Sequence, residues 1–496
     1  MAYVIRQGPL AGRFPAVATM VIFLLVPYLA LSPAVQPLAP LIAHDLHMSG
    51  QTMSLGAGMA NAAYALGTVL AVQLALLLPQ RRMLVLYAFG LLFGSLLVVA
   101  AQNPGMFIAG RVLQGVSTSL MLIAAVPPLA LGFGTAKLPV VGMIMSMGIF
   151  GGVAAGPAIG GLQAQAHAWR PLFAIVAGIA LVAFVLTLLT FEDAPALDPS
   201  APRDPLAIGL AAAGSLAAFL GASELFSHRF LDPVSVGPLL GGLALIILLT
   251  VYQYRARRPL LTVRRMLTST IPVGQIVIAL FAAAASVSAI ELTTQLLASH
   301  YGPLRIGLLF LPELAGALLT AVLLGKLLPR RAIHYLPFIG MLFLAAGIGI
   351  FRIELPPSQA LTLVGSAVTG VGLGASVAPA LFVAGLSLPA TNLQRVFAIV
   401  ELFRAVAAFM VAPIFIHFAV GTHAIGIEMW IGLGLALAGA AVALVLYALG
   451  GARAQRPDLD RFMSGEGPAW YSPPLLAAVR GGTGRGAPEP AEEGAA

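Results

Sequence analysis

The feature that most limits the fold of this chain is a series of long apolar stretches, separated by charged, Pro-rich or Gly-rich junctions. An α-helix needs about 20 apolar residues to cross the hydrocarbon core of a bilayer, and most of these stretches reach that length. Only 9% of the 496 residues are charged, against about 25% in soluble domains. The sequence therefore predicts an all-α polytopic membrane protein. The predicted helices lie at about 14–37, 52–78, 83–101, 105–129, 139–162, 171–191, 205–224, 236–254, 271–297, 304–325, 333–351, 360–387, 394–418 and 427–449.

Positive charge is distributed unevenly between the two ends of these fourteen predicted helices. Twenty of the 26 Lys and Arg residues fall in segments on the side of the N-terminus, and four fall in segments on the opposite side. Cytoplasmic loops of membrane proteins are enriched in Lys and Arg, and an even number of helices returns the chain to its starting side. We therefore expect both termini in the cytoplasm. The net charge of +8 is then explained by topology, without nucleic-acid binding.

Two polar segments divide the predicted helices into groups of six, two and six. One is Pro-rich and follows the sixth helix, and the other is basic and follows the eighth. This division predicts two bundles with an inserted pair of helices between them. The predicted regions are an N-terminal six-helix bundle at 1–191, polar linkers with two inserted transmembrane helices at 192–270, a C-terminal six-helix bundle at 271–450, and a disordered cytoplasmic tail at 451–496.

The fifth predicted helix carries a regular series of small residues in the segment GIFGGVAAGPAIGG. Glycines four residues apart form a groove on one helix face and let a second helix approach closely. A proline in the same helix removes one backbone hydrogen bond and bends the helix. We expect this helix to form a sliding surface between the two bundles. Its residues are Gly148, Gly152, Gly156, Pro157, Gly160 and Gly161.

This segment resembles the antiporter motif G-x-x-x-G-P-x-x-G-G of the major facilitator superfamily, in its fourteen-helix drug/proton antiporter branch. Trp169 and Arg170 follow the motif as in that branch, and Arg111 with Gln114 is similar to a second family motif in the fourth helix. The resemblance extends to about residue 450. It implies the major facilitator fold, a bacterial inner membrane location, and export of small amphipathic molecules or drugs by alternating access, in exchange for protons.

Two acidic residues that are usual in that branch are absent from this chain. Leu31 stands at the acidic position of the first helix, and Leu77 stands where an Asp precedes the basic pair Arg81-Arg82. These differences leave a second interpretation open, a lipid or metabolite exporter or facilitator of the same fold without proton coupling. A third is a non-transporting membrane scaffold or sensor that uses its tail.

Four charged side chains fall deep inside predicted helices, where an ionisable group is costly and is often functional. The resemblance implicates Arg111 in proton coupling. Glu313 or Glu401 is expected to replace the missing acid of the first helix as the proton site, because a carboxyl group at the midplane is more easily kept neutral. Glu401 and Arg404 are three residues apart, so they can instead form a purely structural ion pair.

Several polar side chains at intermediate depth are candidates for a substrate cavity. They can also serve only to bridge helices through hydrogen bonds. Three further acids, at the outer ends of predicted helices, are expected at the membrane interface. The cavity candidates are Gln36, Asn61, Tyr64, Gln114 and Gln295, and the interfacial acids are Glu224, Glu291 and Glu428.

Motifs of enzymes and of ATP-driven pumps are absent from the sequence. There is no HExxH, no GxSxG, no Walker loop and no cysteine, so we predict no catalytic residue, metal site or cofactor. Transport would then be driven by a gradient or be facilitative. The predicted partners are a small-molecule substrate, protons and membrane lipids, without nucleic acid. A partner protein that completes an envelope-spanning pump is left open.

Overall fold

The structure is a computed structural model and describes residues 8–190, 196, 203–422 and 425–475. Thirteen helices in this part of the chain are long and apolar enough to cross a membrane, and a shorter apolar helix makes fourteen. The predicted all-α membrane fold is thereby confirmed. The helices are α1 (Phe14–Asp45), α2 (Gly50–Leu77), α3 (Gln80–Val99), α4 (Pro104–Leu131), α5 (Thr135–Gln165), α6 (Arg170–Thr190), α7 (Pro205–Glu224), α8 (Pro233–Arg255), α9 (Thr270–Ala298), α10 (Pro303–Leu327), α11 (Leu336–Arg352), α12 (Gln359–Leu386), α13 (Leu393–Thr422) and α14 (Ile425–Leu449).

Helices α1–α6 pack on one another, and so do α9–α14, which gives an N-terminal half and a C-terminal half. Small residues set the close approach within each half. A Cβ atom on Gly94 of α3 would lie 2.9 Å from the carbonyl oxygen of Gly110 in α4. We call the end of the molecule where α1 begins the Arg-rich end, and the end where α1 finishes the Arg-poor end. Consecutive long helices run alternately between these two ends.

The two halves meet along two seams. In the first seam α5 packs on α10, where a Cβ atom on Gly307 would lie 2.5 Å from the carbonyl oxygen of Pro157. The same seam continues toward the Arg-rich end, where a Cβ atom on Gly325 would lie 3.0 Å from the carbonyl oxygen of Pro139. In the second seam α2 packs on α13. Backbone-to-backbone proximity therefore extends along much of the α5–α10 seam.

The inserted helices α7 and α8 form a hairpin that packs mainly on α2 and also contacts α13. Phe219 of α7 lies 6.3 Å from Phe409 of α13, measured between ring centroids. At the Arg-rich end the hairpin is fastened by Asp204, whose carboxylate accepts hydrogen bonds from Tyr252 at 3.1 Å and from Gln253 at 2.8 Å. The backbone N–H of Asp204 donates to Gln73 of α2 at 2.9 Å. The hairpin is thus attached to the N-terminal half and lies beside the α2–α13 seam.

The segment after α14 differs from the disordered tail that its composition predicts. Residues 451–475 pack on the Arg-rich end of the C-terminal half, with Phe462 and Trp470 buried. The backbone N–H of Ala469 donates to the carbonyl of Leu386 at 2.8 Å, and that of Thr270 donates to Pro473 at 3.0 Å. The prediction of disorder relied on the average composition of the tail, whereas two buried aromatic side chains are enough to hold this part of it on the protein. The remainder of the predicted tail lies outside the described residues.

Candidate functional site

The ion pair of α13 lies in the α2–α13 seam. Arg404 donates from Nε and from Nη2 to the same carboxylate oxygen of Glu401, at 2.9 and 2.7 Å. Tyr64 reaches this pair from α2, donating its hydroxyl to the same oxygen at 3.4 Å and accepting from Arg404 Nη2 at 3.5 Å. Glu401 is only 1% exposed, so the pair is a buried one that a side chain of the other half contacts.

A chain of aromatic and polar side chains connects this pair to α4. The ring of Tyr64 stacks on that of Tyr28 in α1, with centroids 6.1 Å apart and planes 10° from parallel. The guanidinium of Arg111 lies 5.1 Å from the centroid of the Tyr28 ring and donates to Gln114 at 2.9 Å. Gln114 in turn donates to Ser95 of α3 at 3.0 Å. We call Tyr28, Tyr64, Arg111, Gln114, Glu401 and Arg404 the seam cluster.

Arg111 is the least compensated charge of the seam cluster. It is 8% exposed, and none of the ion pairs in the described part of the chain includes it. Its cation instead lies over the ring of Tyr28, a geometry worth up to about 2 kcal/mol when water is excluded. Since an unpaired charge within a membrane protein is energetically costly, Arg111 is a candidate for a functional role.

A small cavity adjoins Glu401 between the two halves. Its volume is about 20 Å³, which is enough for one water molecule. The hydroxyl of Ser146 in α5 lines it and has no hydrogen-bond partner among the described residues. The cavity lies on the Arg-rich side of the seam cluster. Other residues that line it are Leu122 of α4, Phe382 of α12 and Phe397 of α13.

Glu313 is buried away from the seam cluster, within the C-terminal half. It is 2% exposed, and its Oε1 atom has no hydrogen-bond partner among the described residues. The backbone of Glu313 packs directly against Gly370 of α12. The sequence predicted Glu313 and Glu401 as interchangeable proton sites. The structure instead separates a carboxylate paired with Arg404 in the seam from an unpaired carboxyl group between α10 and α12.

The glycines of α5 pack mainly on α1 rather than on the other half. Side chains or backbone of α1 lie against Gly148, Gly152, Gly156 and Gly160, and Cγ of Pro37 would be 2.7 Å from a Cβ atom on Gly160. Gly161 is on the α10 face, where its Cβ atom would be 2.5 Å from the carbonyl oxygen of Pro303. The expected sliding surface is therefore built differently. The four-residue stripe joins α5 to α1, while Gly161 and the backbone near Pro157 face α10.

A local irregularity precedes the proline of α5. Residues Met147–Gly151 form a π-helical turn, after which the helix continues through Gly152–Gln165 with Pro157 inside it. Turns of this kind are frequent at functional sites, and a proline relaxes the backbone pairing further. The small residues and the irregular turn together make α5 the least regular of the helices that form the two seams.

The remaining cavity candidates are distributed along the helices rather than gathered at one point. Tyr64 and Gln114 belong to the seam cluster, whereas Asn61 and Gln295 are half-buried and no described hydrogen bond joins them to it. Gln36 of α1 donates to Glu291 of α9 at 3.4 Å, across the two halves. Sequence reasoning assigned Glu291 to the membrane interface and missed this partner, because a single sequence does not show which face of a helix a side chain occupies.

Tyr28 is a member of the seam cluster that the sequence did not indicate. It stands in an apolar stretch of α1, where a tyrosine has the same pattern as any core aromatic residue. Its hydroxyl is buried and has no hydrogen-bond partner among the described residues. The stacked ring of Tyr64 and the guanidinium of Arg111, both close to its ring, are what give Tyr28 a role.

The fold and these sequence features match a known family. A profile of the Major Facilitator Superfamily aligns with residues 17–411, which is most of the chain. The chain belongs to the Major Facilitator Superfamily. The resemblance inferred from the glycine motif is thus confirmed, and so is the prediction that the protein is not an enzyme, since the family and its matching relatives are transporters.

Several relatives carry names that concern drug export. The chain is 26% identical over 293 residues to a "Multidrug resistance protein B homolog" of Mycobacterium tuberculosis, which covers 58% of this chain and 54% of the relative. It is 24% identical to the "Drug efflux pump JefA" of the same species, over 72% of this chain and 74% of that protein. It is 25% identical to the "Tetracenomycin C resistance and export protein" of Streptomyces glaucescens, over 67% and 62%. The match spans about half the length of the first of these relatives.

A solved structure shares the fold. The human organic anion transporter MFSD10 (TETRAN) superposes with a TM-score of 0.58 at 13% identity, covering 87% of this chain and 99% of that protein. This likeness supports the architecture alone. Together, the family match and the apolar helices make the chain an integral membrane protein of the Major Facilitator Superfamily.

Proposed function

We propose that this transporter exports small amphipathic molecules by alternating access, in exchange for protons. The observation that carries the proposal is the seam cluster, in which the one buried Glu–Arg pair of the described chain is also a contact between the two halves. Rocking of the halves about the α2–α13 seam must alter that contact. A proton that binds there changes the energy of the same movement.

The physical basis of the coupling is the charge of Glu401. When the carboxylate is ionised, it accepts two short bonds from Arg404, each contributing about 1.5–3 kcal/mol because the groups are charged, and a longer bond from Tyr64 at 3.4 Å. A proton on Glu401 removes the negative charge and weakens all three. Of these three bonds, the one from Tyr64 crosses the seam, so a proton on Glu401 weakens the seam at that contact and favours its opening. The cavity beside Glu401 is large enough for the water molecule through which a proton would reach it.

Arg111 is assigned a supporting role in this scheme. Its positive charge, placed over Tyr28, is linked through the stacked ring of Tyr64 to the carboxylate of Glu401. Movement of α2 away from α13 therefore disturbs both the cation and the ion pair. Glu313 is a second candidate for a bound proton, because the protonated acid is far less costly in apolar surroundings than an unpaired carboxylate.

The location proposed for the protein is a bacterial inner membrane, with the Arg-rich end and both termini in the cytoplasm. The distribution of basic residues supports this orientation. The names of the relatives support a drug-like or antibiotic-like substrate, since they concern multidrug resistance, drug efflux and export of tetracenomycin C. No adaptor protein is needed for the scheme.

The alternative without proton coupling is favoured by one observation. Leu31, at the position where related antiporters have an acid, is 1% exposed and packs in an apolar cluster with Trp169 and Phe173. This position therefore presents no proton-binding group. A lipid or metabolite exporter, or a facilitator, remains the second candidate function.

The first experiment measures expulsion of a fluorescent lipophilic cation from an efflux-deficient bacterium that expresses the protein, with and without a protonophore. Protonophore-sensitive expulsion that is lost in Arg111→Ala, at equal membrane levels, supports proton-coupled drug export. Expulsion that persists with the protonophore supports the facilitator. The absence of expulsion moves the search for substrates to lipids and metabolites.

The second experiment tests the proton sites. Transport by the purified protein in liposomes is measured between pH 5.5 and 8.5 for Glu401→Gln, for Glu313→Gln and for the double variant. The double variant is expected to transport at a rate independent of pH. Glu428→Gln, a buried acid of α14 outside both sites, is the matched control. An unchanged pH profile in the double variant would contradict the coupling scheme.

A further inference from the structure

A second contact between the halves lies nearer the Arg-poor end and is made by Gln36 and Glu291. Gln36 is nine residues before the end of α1, and Glu291 is seven residues before the end of α9. At 1.5 Å per residue these positions are about 14 and 11 Å from the Arg-poor ends of their helices. Gln36 is exposed and Glu291 is half-buried, so the pair borders open space between α1 and α9.

Glu291 has no positive partner in the described part of the chain. The ion pairs there involve other carboxylates, and the polar contact of Glu291 is the amide of Gln36. This differs from Glu401, whose charge is neutralised by Arg404 at 2.7 Å. A carboxylate at this depth that is left without a cation is well suited to receive one from a ligand.

The hydrogen-bonding capacity of the pair is largely unused. The bond from Gln36 Nε2 to Glu291 Oε2 is long, at 3.4 Å, so both groups gain by forming shorter bonds to something between them. The other carboxylate oxygen of Glu291 and the carbonyl oxygen of Gln36 have no described partner. The site therefore offers a negative charge and two kinds of acceptor at one point. A protonated amino group complements both features, whereas a quaternary ammonium group brings charge without N–H donors.

We propose that Glu291 and Gln36 bind the protonated amino group of an exported substrate. The proposal rests on the proposed function, because it assigns part of the substrate to the cleft between the halves. Since one ligand group contacts α1 and α9 at once, its binding draws the two halves together near the Arg-poor end. Glu291 provides charge selectivity, and Gln36 provides preference for N–H donors.

The test compares three probes that share one hydrocarbon cage: 1-adamantylamine, 1-adamantyltrimethylammonium and 1-adamantanol. Binding to the full-length protein is measured by calorimetry at pH 7.5, in nanodiscs of zwitterionic lipid that do not themselves attract cations. Hydrogen bonds to charged groups are strong enough for the amine to bind about tenfold more tightly than the other two probes. Glu291→Gln is expected to bind all three alike.

Two further variants distinguish a binding role from a structural one. Glu428→Gln removes a buried acid elsewhere and is expected to keep the tenfold preference. Gln36→Leu retains the charge, so it is expected to keep the preference for the amine over the alcohol and to lose most of the preference over the trimethylammonium probe. An amine preference that survives in Glu291→Gln, or that is missing from the wild-type protein, would overturn the proposal.

The binding assay does not depend on transport, so the two proposals fail separately. Amine preference without any protonophore-sensitive export would retain this site and reject proton-coupled export. Proton-coupled export by a protein that binds the three probes equally would do the reverse.

Discussion

Removing the two partners of the buried ion pair, singly and together, measures how strongly Glu401 and Arg404 stabilise the fold. Either single change, Glu401→Gln or Arg404→Gln, leaves a buried charge or a set of donors without its partner. Breaking a buried pair in this way costs about 3–5 kcal/mol. Because two short bonds from Arg404 converge on one oxygen of Glu401, we expect a coupling energy of about 3 kcal/mol. The double variant should therefore be much less destabilised than the sum of the singles.

The free energy of unfolding is measured by titration with a denaturing detergent in mixed micelles, with tryptophan fluorescence as the signal. Asp45 and Arg170 provide the matched control pair, since they lie 3.7 Å apart and are far more exposed. The same cycle with Asp45→Asn and Arg170→Gln should give less than about 1 kcal/mol. If the changes at Glu401 and Arg404 prove additive within about 0.5 kcal/mol, the two side chains do not stabilise each other and the reasoning is refuted.

Three further predictions concern other parts of the structure. Gly160→Ala places a methyl group against the backbone of α1, so it should destabilise the fold by about 1–3 kcal/mol through overpacking and lower the apparent Tm. Gly178→Ala, on the open face of α6, should leave the Tm unchanged or raise it, and equal effects of the two changes would contradict the packing argument. His334 makes an edge-to-face contact with Trp470, and burial lowers the pKa of His334 to about 4, so the contact with segment 451–475 should weaken as pH falls from about 6.5 toward 4. Limited proteolysis of this segment at pH 5 and 7.5 measures the effect, and His334→Phe should abolish its pH dependence. Asp204→Asn loses a charged acceptor of three hydrogen bonds, so it should lower the free energy of unfolding by about 1–3 kcal/mol in the same detergent titration. Asp232→Asn keeps a side-chain cap on its helix, so it should change the free energy of unfolding little.

The positions of the helices could be predicted from the sequence because lipid demands an uninterrupted apolar stretch for each crossing. The pair of Glu401 and Arg404 was also accessible, since its members are three residues apart on one helix. The contact of this pair with Tyr64 could not be predicted from the sequence, because a membrane helix is apolar both on the faces that meet lipid and on those that meet protein. Without that contrast, the direction of a side chain depends on neighbours hundreds of residues away.

The same limit applies to the glycines of α5 and to Glu291. A stripe of glycines predicts that some helix approaches closely, but the sequence does not specify α1 or α10 as that helix. For Glu291 the sequence predicted a position at the membrane interface, and the missing information was the presence of Gln36 on the facing helix. Partner identity is a property of the assembled bundle and has no local signature.

The placement of the inserted hairpin has a consequence for molecules that arrive from the bilayer itself. Because α7 packs on α2 and also contacts α13, it shields one flank of the α2–α13 seam from surrounding acyl chains. A lipophilic compound dissolved in a leaflet therefore meets two flanks that are closed in different ways, since the hairpin covers the α2–α13 seam and backbone contacts such as Gly307 on Pro157 close the α5–α10 seam. Lateral entry from the lipid then requires either that the hairpin moves aside or that α5 and α10 separate, whereas entry from water requires neither.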